Sequence, residues 1–184
     1  ALGHMIADLE EKGEPLGNKG SLVKANVQGL KMGKKGEPGE KIGVFVAGGW
    51  EGSIEKNCRL GVFGKADTIF DNALFPEPLA VALPNQITVG PAKIVTVLQG
   101  DKLQEFDIEI LNIMPNEKRS GKGLVIKVTD EELLEKTGGI IQGMSGSPIL
   151  QNGMLVGAVT HVFVNDPTRG YGCLADWMLE EAGL

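Results

Sequence analysis

The stretch Gly143-Met144-Ser145-Gly146-Ser147-Pro148-Ile149-Leu150-Gln151-Asn152-Gly153-Met154-Leu155-Val156-Gly157-Ala158-Val159-Thr160-His161 places two apolar runs on either side of Gln151-Asn152-Gly153. Asn-Gly suits the positive φ values of a tight hairpin turn, so the runs are expected to be paired strands with a serine-bearing loop in front of them. That loop has the form Gly-x-Ser-Gly-x-Pro. Gly143 and Gly146 let the backbone take conformations that a side chain would obstruct, and Pro148 fixes the chain as it enters the strand. Acyl transfer needs a serine on a tight turn whose own N–H, with that of the residue two earlier, points at the developing oxyanion. Ser145 and Gly143 can supply those donors. A Gly/Ser-rich turn before a hairpin is also, on its own, an ordinary turn.

Working outward, 27 glycines and 9 prolines separate short apolar runs along the chain, the pattern of many strands joined by turns. Strands are expected at Ser21–Val27, Ile42–Ala47, Arg59–Phe63, Ala92–Leu98, Phe106–Ile113, Leu124–Val128, Pro148–Leu150 and Leu155–Val164, each rich in β-branched or aromatic residues. Their number suits a pair of barrels or a sandwich. Short helices are expected at Asp130–Lys136 and Ala175–Ala182, the latter with Leu174, Trp177 and Met178 on a core-facing side. Gly33–Glu40 reads as a charged turn. The region near 72–84 is the expected boundary between two β-lobes of one domain spanning residues 1–184.

Composition narrows the function. The 184 residues, 42% hydrophobic and 23% charged, suit one domain with a sizeable core. A net charge of −6 without a Lys/Arg cluster argues against nucleic acid and anionic membranes as partners. Cys58 and Cys173 are too far apart for a short metal motif; buried free thiols are expected, with a disulfide as the alternative. No metal and no cofactor are implied. No apolar run approaches the roughly 20 residues of a membrane helix, and the first residues do not read as a signal peptide.

A serine activated by imidazole has two histidines to choose from, His4 and His161. His161 sits on a predicted strand, where with Thr160 and Val162 it would touch substrate; His4 precedes the serine and is the candidate base. The acid is open among Asp67, Asp71 and Asp130. Asp130 has an innocent alternative, because Thr129 and Glu132 form a capping-box pattern around it.

The Leu155–His161 run resembles the strand that follows the nucleophile in chymotrypsin-like proteases and lines their specificity pocket. More specifically, Lys136-Thr137-Gly138-Gly139-Ile140-Ile141-Gln142-Gly143-Met144-Ser145-Gly146-Ser147-Pro148 and the run Gly157–Gly172 resemble the stage IV sporulation protein B peptidase family, serine peptidase family S55. Ala1-Leu2-Gly3-His4, Gly52–Asn57, Gly61–Gly64 and Val81–Pro84 extend the likeness across the chain. The resemblance implies an all-β, chymotrypsin-like double β-barrel with short helices. It also implies a triad of His4, Asp130 and Ser145, although an acid so close to the nucleophile departs from the usual layout. It further implies an exported protein acting in the space between forespore and mother-cell membranes, which cleaves the regulatory component of an intramembrane protease complex. A membrane anchor and a PDZ domain are expected upstream in the full-length protein.

Two functions follow. The first is a serine endopeptidase acting in sporulation signalling through an acyl-enzyme. The alternative is a catalytically inactive protease-fold module that binds a peptide or protein partner along the Thr160–Val162 edge by β-addition. Phosphate binding at the Gly-rich turn is disfavoured, because that turn leads into a strand rather than a helix N-terminus.

Overall fold

The computed structural model describes residues 1–7, 17, 19–68 and 72–184. The fold is all-β with short helices, as expected. Strands β1 (Gly20–Lys31), β2 (Glu40–Cys58) and β3 (Gly61–Ala66) form an antiparallel three-stranded sheet. Strands β4 (Gly90–Val97), β5 (Leu103–Ile113), β6 (Leu124–Val128), β7 (Pro148–Gln151), β8 (Met154–Phe163) and β9 (Asp166–Leu174) close into a barrel of order β4-β5-β6-β9-β8-β7. Among the described residues, the strands ahead of this barrel make an open sheet rather than a second closed barrel.

The barrel follows from strict alternation. Phe106, Ile108 and Ile110 of β5 and Leu124, Ile126 and Val128 of β6 are all buried, while Asp107 and Lys127 between them face outward. Period two sends one set inward, and Ile94, Ile149, Val156 and Val159 fill the same interior. Each such side chain contributes about 1.5–3 kcal/mol on burial. Closure occurs where Lys93 and Ile94 pair with Leu150 and Ile149, which removes the exposed sheet edge.

Helix α1 (Glu131–Thr137) starts one residue later than the capping-box pattern suggests. Asp130 itself is the N-cap, its extended backbone (φ −66°, ψ 123°) letting the carboxylate accept from the Leu133 N–H. Helix α2 (Ala175–Ala182) seats Leu174 and Trp177 in the core, with Met178 packed against it. Strand β9 was not expected: Pro167, Gly170 and Gly172 dilute its strand signal, yet it pairs with both β6 and β8. Strand β2 is longer than expected, because the ladder resumes at Trp50↔Val23 after skipping the residues that follow Phe45↔Ala25.

The sheet is tied to the barrel beside the serine loop. Val27 and Gly100 exchange two backbone hydrogen bonds of 2.8 Å, and Gly33 N–H donates to Thr137 O at 2.8 Å. Gln142 N–H donates to Gly39 O and Lys41 N–H donates to Gln142 O, at 2.8 and 2.9 Å. The turn Gly33–Glu40 thereby delivers the start of β2 to the loop that carries Ser145.

Candidate active site

Ser145 lies on the connection between α1 and β7. Met144, fully buried, anchors this loop in the core. Both Gly143 (φ 88°) and Gly146 (φ 85°) are left-handed, conformations that favour glycine. Backbone bonds hold the loop: Met144 N–H to Ile141 O, Gly146 N–H to Val159 O, and Ser147 N–H to Met144 O. Among the described residues, the N–H groups of exposed Gly143 and half-buried Ser145 donate to no protein acceptor, which leaves them open to solvent or to a bound group.

The Ser145 hydroxyl donates to Thr160 O at 2.9 Å. Thr160 is buried, and its own Oγ1 has no partner among the described residues. His161, next along β8, packs its ring 5.0 Å from that of His4, centroid to centroid, with a 45° tilt. The pairing of β7 with β8 stops at Pro148↔Ala158, whereas β9 continues along the other side of β8 past His161 and Val162. Thr160, His161 and Val162 therefore border the serine loop on a stretch of β8 that β7 does not cover.

His4 is held at this place by non-local contacts. Asn57 of β2 accepts from Ile6 N–H at 2.9 Å and donates to Ile6 O at 2.7 Å, while Val62 N–H of β3 donates to Ala1 O at 3.0 Å. Between these anchors Gly3 (φ 67°) is buried against β8: a Cβ there would lie 2.9 Å from Thr160 Cγ2 and 3.1 Å from Cys173 Cβ. The His4 Nδ1 is 2.8 Å from Met5 O. A carbonyl oxygen can only accept, so Nδ1 carries the proton and Nε2 of the neutral ring is left as the acceptor.

The candidate acids lie elsewhere. Asp130 Oδ1 accepts from Leu133 N–H at 2.9 Å and Oδ2 from Asp107 N–H at 3.3 Å; no bond joins it to His4 among the described residues. Asp67 accepts from Trp50 Nε1 at 2.5 Å, and Asp71 lies outside the described residues. Burial, then the neighbouring His4 and Lys122, lowers the pKa of His161. Cys58 and Cys173 are free thiols, and burial pushes the Cys173 thiol up to about 12. Among the described residues no group of His, Cys, Asp and Glu could hold a metal ion, and no helix is long and apolar enough to cross a membrane.

Three neighbours of the site carried no role in the sequence. Lys41 packs its aliphatic stem on Gly143 and donates to Thr96 Oγ1 at 2.6 Å, and Thr96 in turn lies 3.0 Å from Ser147 Oγ. Their contact joins β2, β4 and the serine loop, so no local pattern could have signalled it.

Residues 1–179 match the SpoIVB peptidase S55 family, and the chain belongs to that family and is a serine peptidase. No curated protein matches it. Among solved structures it is similar to the active form of the Rv3671c protease from M. tuberculosis, at 15% identity and a TM-score of 0.47, covering 89% of this chain and 79% of that one. The inactive form of the Rv3671c protease gives 15% identity and a TM-score of 0.46, with 86% of each chain covered.

Proposed function

We propose that this chain is a serine endopeptidase in which Ser145 is the nucleophile, His4 the general base, and the Gly143 and Ser145 N–H groups the oxyanion hole. The observation that carries this reading is the pair of N–H groups without a protein acceptor among the described residues, on the serine and two residues before it, in a loop that the Gln142, Met144, Gly146 and Ser147 N–H bonds hold in place. Oxyanion donors must be free in the resting enzyme and fixed in place, so that no reorganisation is needed when charge develops.

In the reaction, Ser145 Oγ leaves Thr160 O and turns to His4 Nε2. Attack on the scissile carbonyl passes the serine proton to Nε2 and places the oxyanion between Gly143 and Ser145. The imidazolium returns its proton to the departing amine, and water hydrolyses the acyl-enzyme by the same route. Met5 O, on Nδ1, holds the tautomer that this cycle requires. The family places an acid in that role; Asp130 can fill it only by leaving its cap on α1.

The family likeness further supports a role in sporulation signalling: an exported enzyme in the space between forespore and mother-cell membranes, preceded by a PDZ domain, which cleaves the regulatory component of an intramembrane protease complex. The test of the chemistry is intact mass after treatment with a fluorophosphonate, for wild type and Ser145→Ala, beside a peptide-cleavage assay at neutral pH. A single adduct on wild type alone, with matching cleavage, is expected. A folded wild type that takes no adduct would leave the non-catalytic peptide-binding module as the better account.

A further inference from the structure

Beside the serine loop, on its Lys41 flank, a cavity of about 610 Å³ is lined by Lys41, Thr96, Gly143, Gly146 and Ser147 together with residues of β1. Lys41 is the partly buried, desolvated cation of this cavity. Among the described residues it forms no ion pair, and one hydrogen bond, to Thr96 Oγ1, engages its ammonium group. An ammonium has three N–H donors, and a buried charge is ordinarily paired. Burial alone lowers the Lys41 pKa to about 8, with no nearby carboxylate opposing it. The other charges lining the cavity leave this arrangement intact: Lys24 is paired with Asp101 at 3.5 Å, and among the described residues Glu51 forms no ion pair with Lys41.

The Thr96 hydroxyl lies beside the ammonium and is held by Ser147, and both hydroxyl residues are buried. Thr96 Oγ1 accepts from both the ammonium and Ser147, which leaves the Thr96 O–H and two ammonium N–H groups as donors for a small anion in an open cavity. Its position selects the anion. Gly143, one of the two oxyanion donors, is packed directly against the Lys41 stem, and Thr160, His161 and Val162 do not line the cavity. What enters it is the part of a peptide chain that is close to the scissile bond and is not laid along β8.

The geometry points to a subsite for a substrate carboxylate, in which Lys41, with Thr96 positioned by Ser147, selects an acidic residue or a free C-terminus near the bond that Ser145 cleaves. This specificity rests on the peptidase reading above, but the binding of a carboxylate does not. Two measurements separate them. In the first, ¹³C-lysine-labelled Ser145→Ala protein is titrated with acetate and, separately, with chloride, the Lys41 methylene signal being assigned by its loss in Lys41→Gln. A saturable shift with acetate that chloride does not reproduce, and a raised Lys41 pKa, are expected; equal responses to the two salts would overturn the site. In the second, wild type and Lys41→Gln digest a proteome-derived peptide library. Cleavage within three residues of Asp, Glu or a C-terminus falls at least about tenfold further in the variant than cleavage at neutral sites does. Depletion of Asp and Glu sites identifies the side chain as the carboxylate source, and depletion confined to chain ends identifies the C-terminus. Unchanged preference in Lys41→Gln would overturn the assignment. If wild type cleaves nothing, the peptidase reading fails and the acetate titration alone decides the site.

Discussion

Ser145 Oγ donates its proton to the backbone carbonyl of Thr160, at 2.9 Å, on the stretch of β8 that borders the serine loop. That carbonyl is also an acceptor that a peptide docked on β8 would use, so docking and release of the serine compete for one oxygen. A peptide N–H that takes over Thr160 O frees Ser145 Oγ for His4. Peptidyl phosphonates long enough to pair with Thr160 and Val162 are therefore expected to label Ser145 at least about tenfold faster than small fluorophosphonates. Second-order labelling rates followed by intact mass check this, and equal rates would separate the Thr160 contact from substrate binding.

The placement of His4 depends on Gly3. A Cβ at this position would press on Thr160 Cγ2 and Cys173 Cβ, and its φ of 67° is strained for any side chain. Gly3→Ala is expected to cost about 1–3 kcal/mol of stability and to lower kcat/KM by tenfold or more, because His4 is the adjacent residue. Thermal unfolding and peptide kinetics measured together separate the two effects. Asn57→Ala, which removes both bonds to Ile6, is expected to lower kcat/KM in the same way.

Stability is expected to rise with pH at the alkaline end. Lys41 loses its proton at about 8 in the folded protein, against 10.5 for the ordinary side chain. Between these values the unfolded chain holds more protons than the folded one, so unfolding free energy increases as the buried charge is discharged. Below about 8 the charge costs its full burial penalty. Lys41→Met is expected to stabilise the protein at pH 7 by about 3 kcal/mol, an advantage that vanishes above pH 10.5. Urea titrations of both proteins at pH 7 and pH 10.5 check the sign.

At the acid end, His161 works in the same direction. Its folded pKa lies below 6.5, with burial the main cause and His4 and Lys122 the others, so its contribution to stability is held above 6.5 and lost as pH falls through the lowered value. His161→Phe is expected to flatten this part of the stability profile. A profile with the same slope in the variant would place the acid sensitivity elsewhere.

The barrel interior sets the scale for structural damage. Ile126 is fully buried on β6, and Ile126→Ala is expected to cost about 2–5 kcal/mol through the lost methyl groups and the cavity left behind. A loss below 1 kcal/mol in denaturant unfolding would mean that β6 is not part of a packed barrel.

How much of this was legible beforehand depended on whether the determining contacts were local. Asn152 (φ 53°) and Gly153 (φ 75°) make the turn that Asn-Gly announces, and the alternation through β5 and β6 is a local pattern. The serine loop was legible for the same reason, since its two glycines and its proline act on their own backbone. Strand β9 was hidden because Gly172 and Gly170 have no side chain to give a period: Ile149 Cδ1 lies near Gly172 and Ile140 Cδ1 near Gly170. The hold of Asn57 on Ile6, and of Lys41 on Thr96, spans strands far apart in sequence, and no spacing rule reports such pairings. For the same reason the acid stayed open: Asp130 has a strong local bond at the start of α1, and only tertiary placement decides whether a carboxylate reaches the imidazole.

The central claim, that Ser145 and His4 act as one unit, is tested most directly by kcat/KM for peptide hydrolysis in Ser145→Ala, His4→Ala and the double variant. Residues that work as a unit are strongly non-additive, so each single variant is expected to lose nearly as much as the double. Losses that multiply, or a His4→Ala enzyme with activity near wild type, would contradict the assignment of His4 as the base for Ser145.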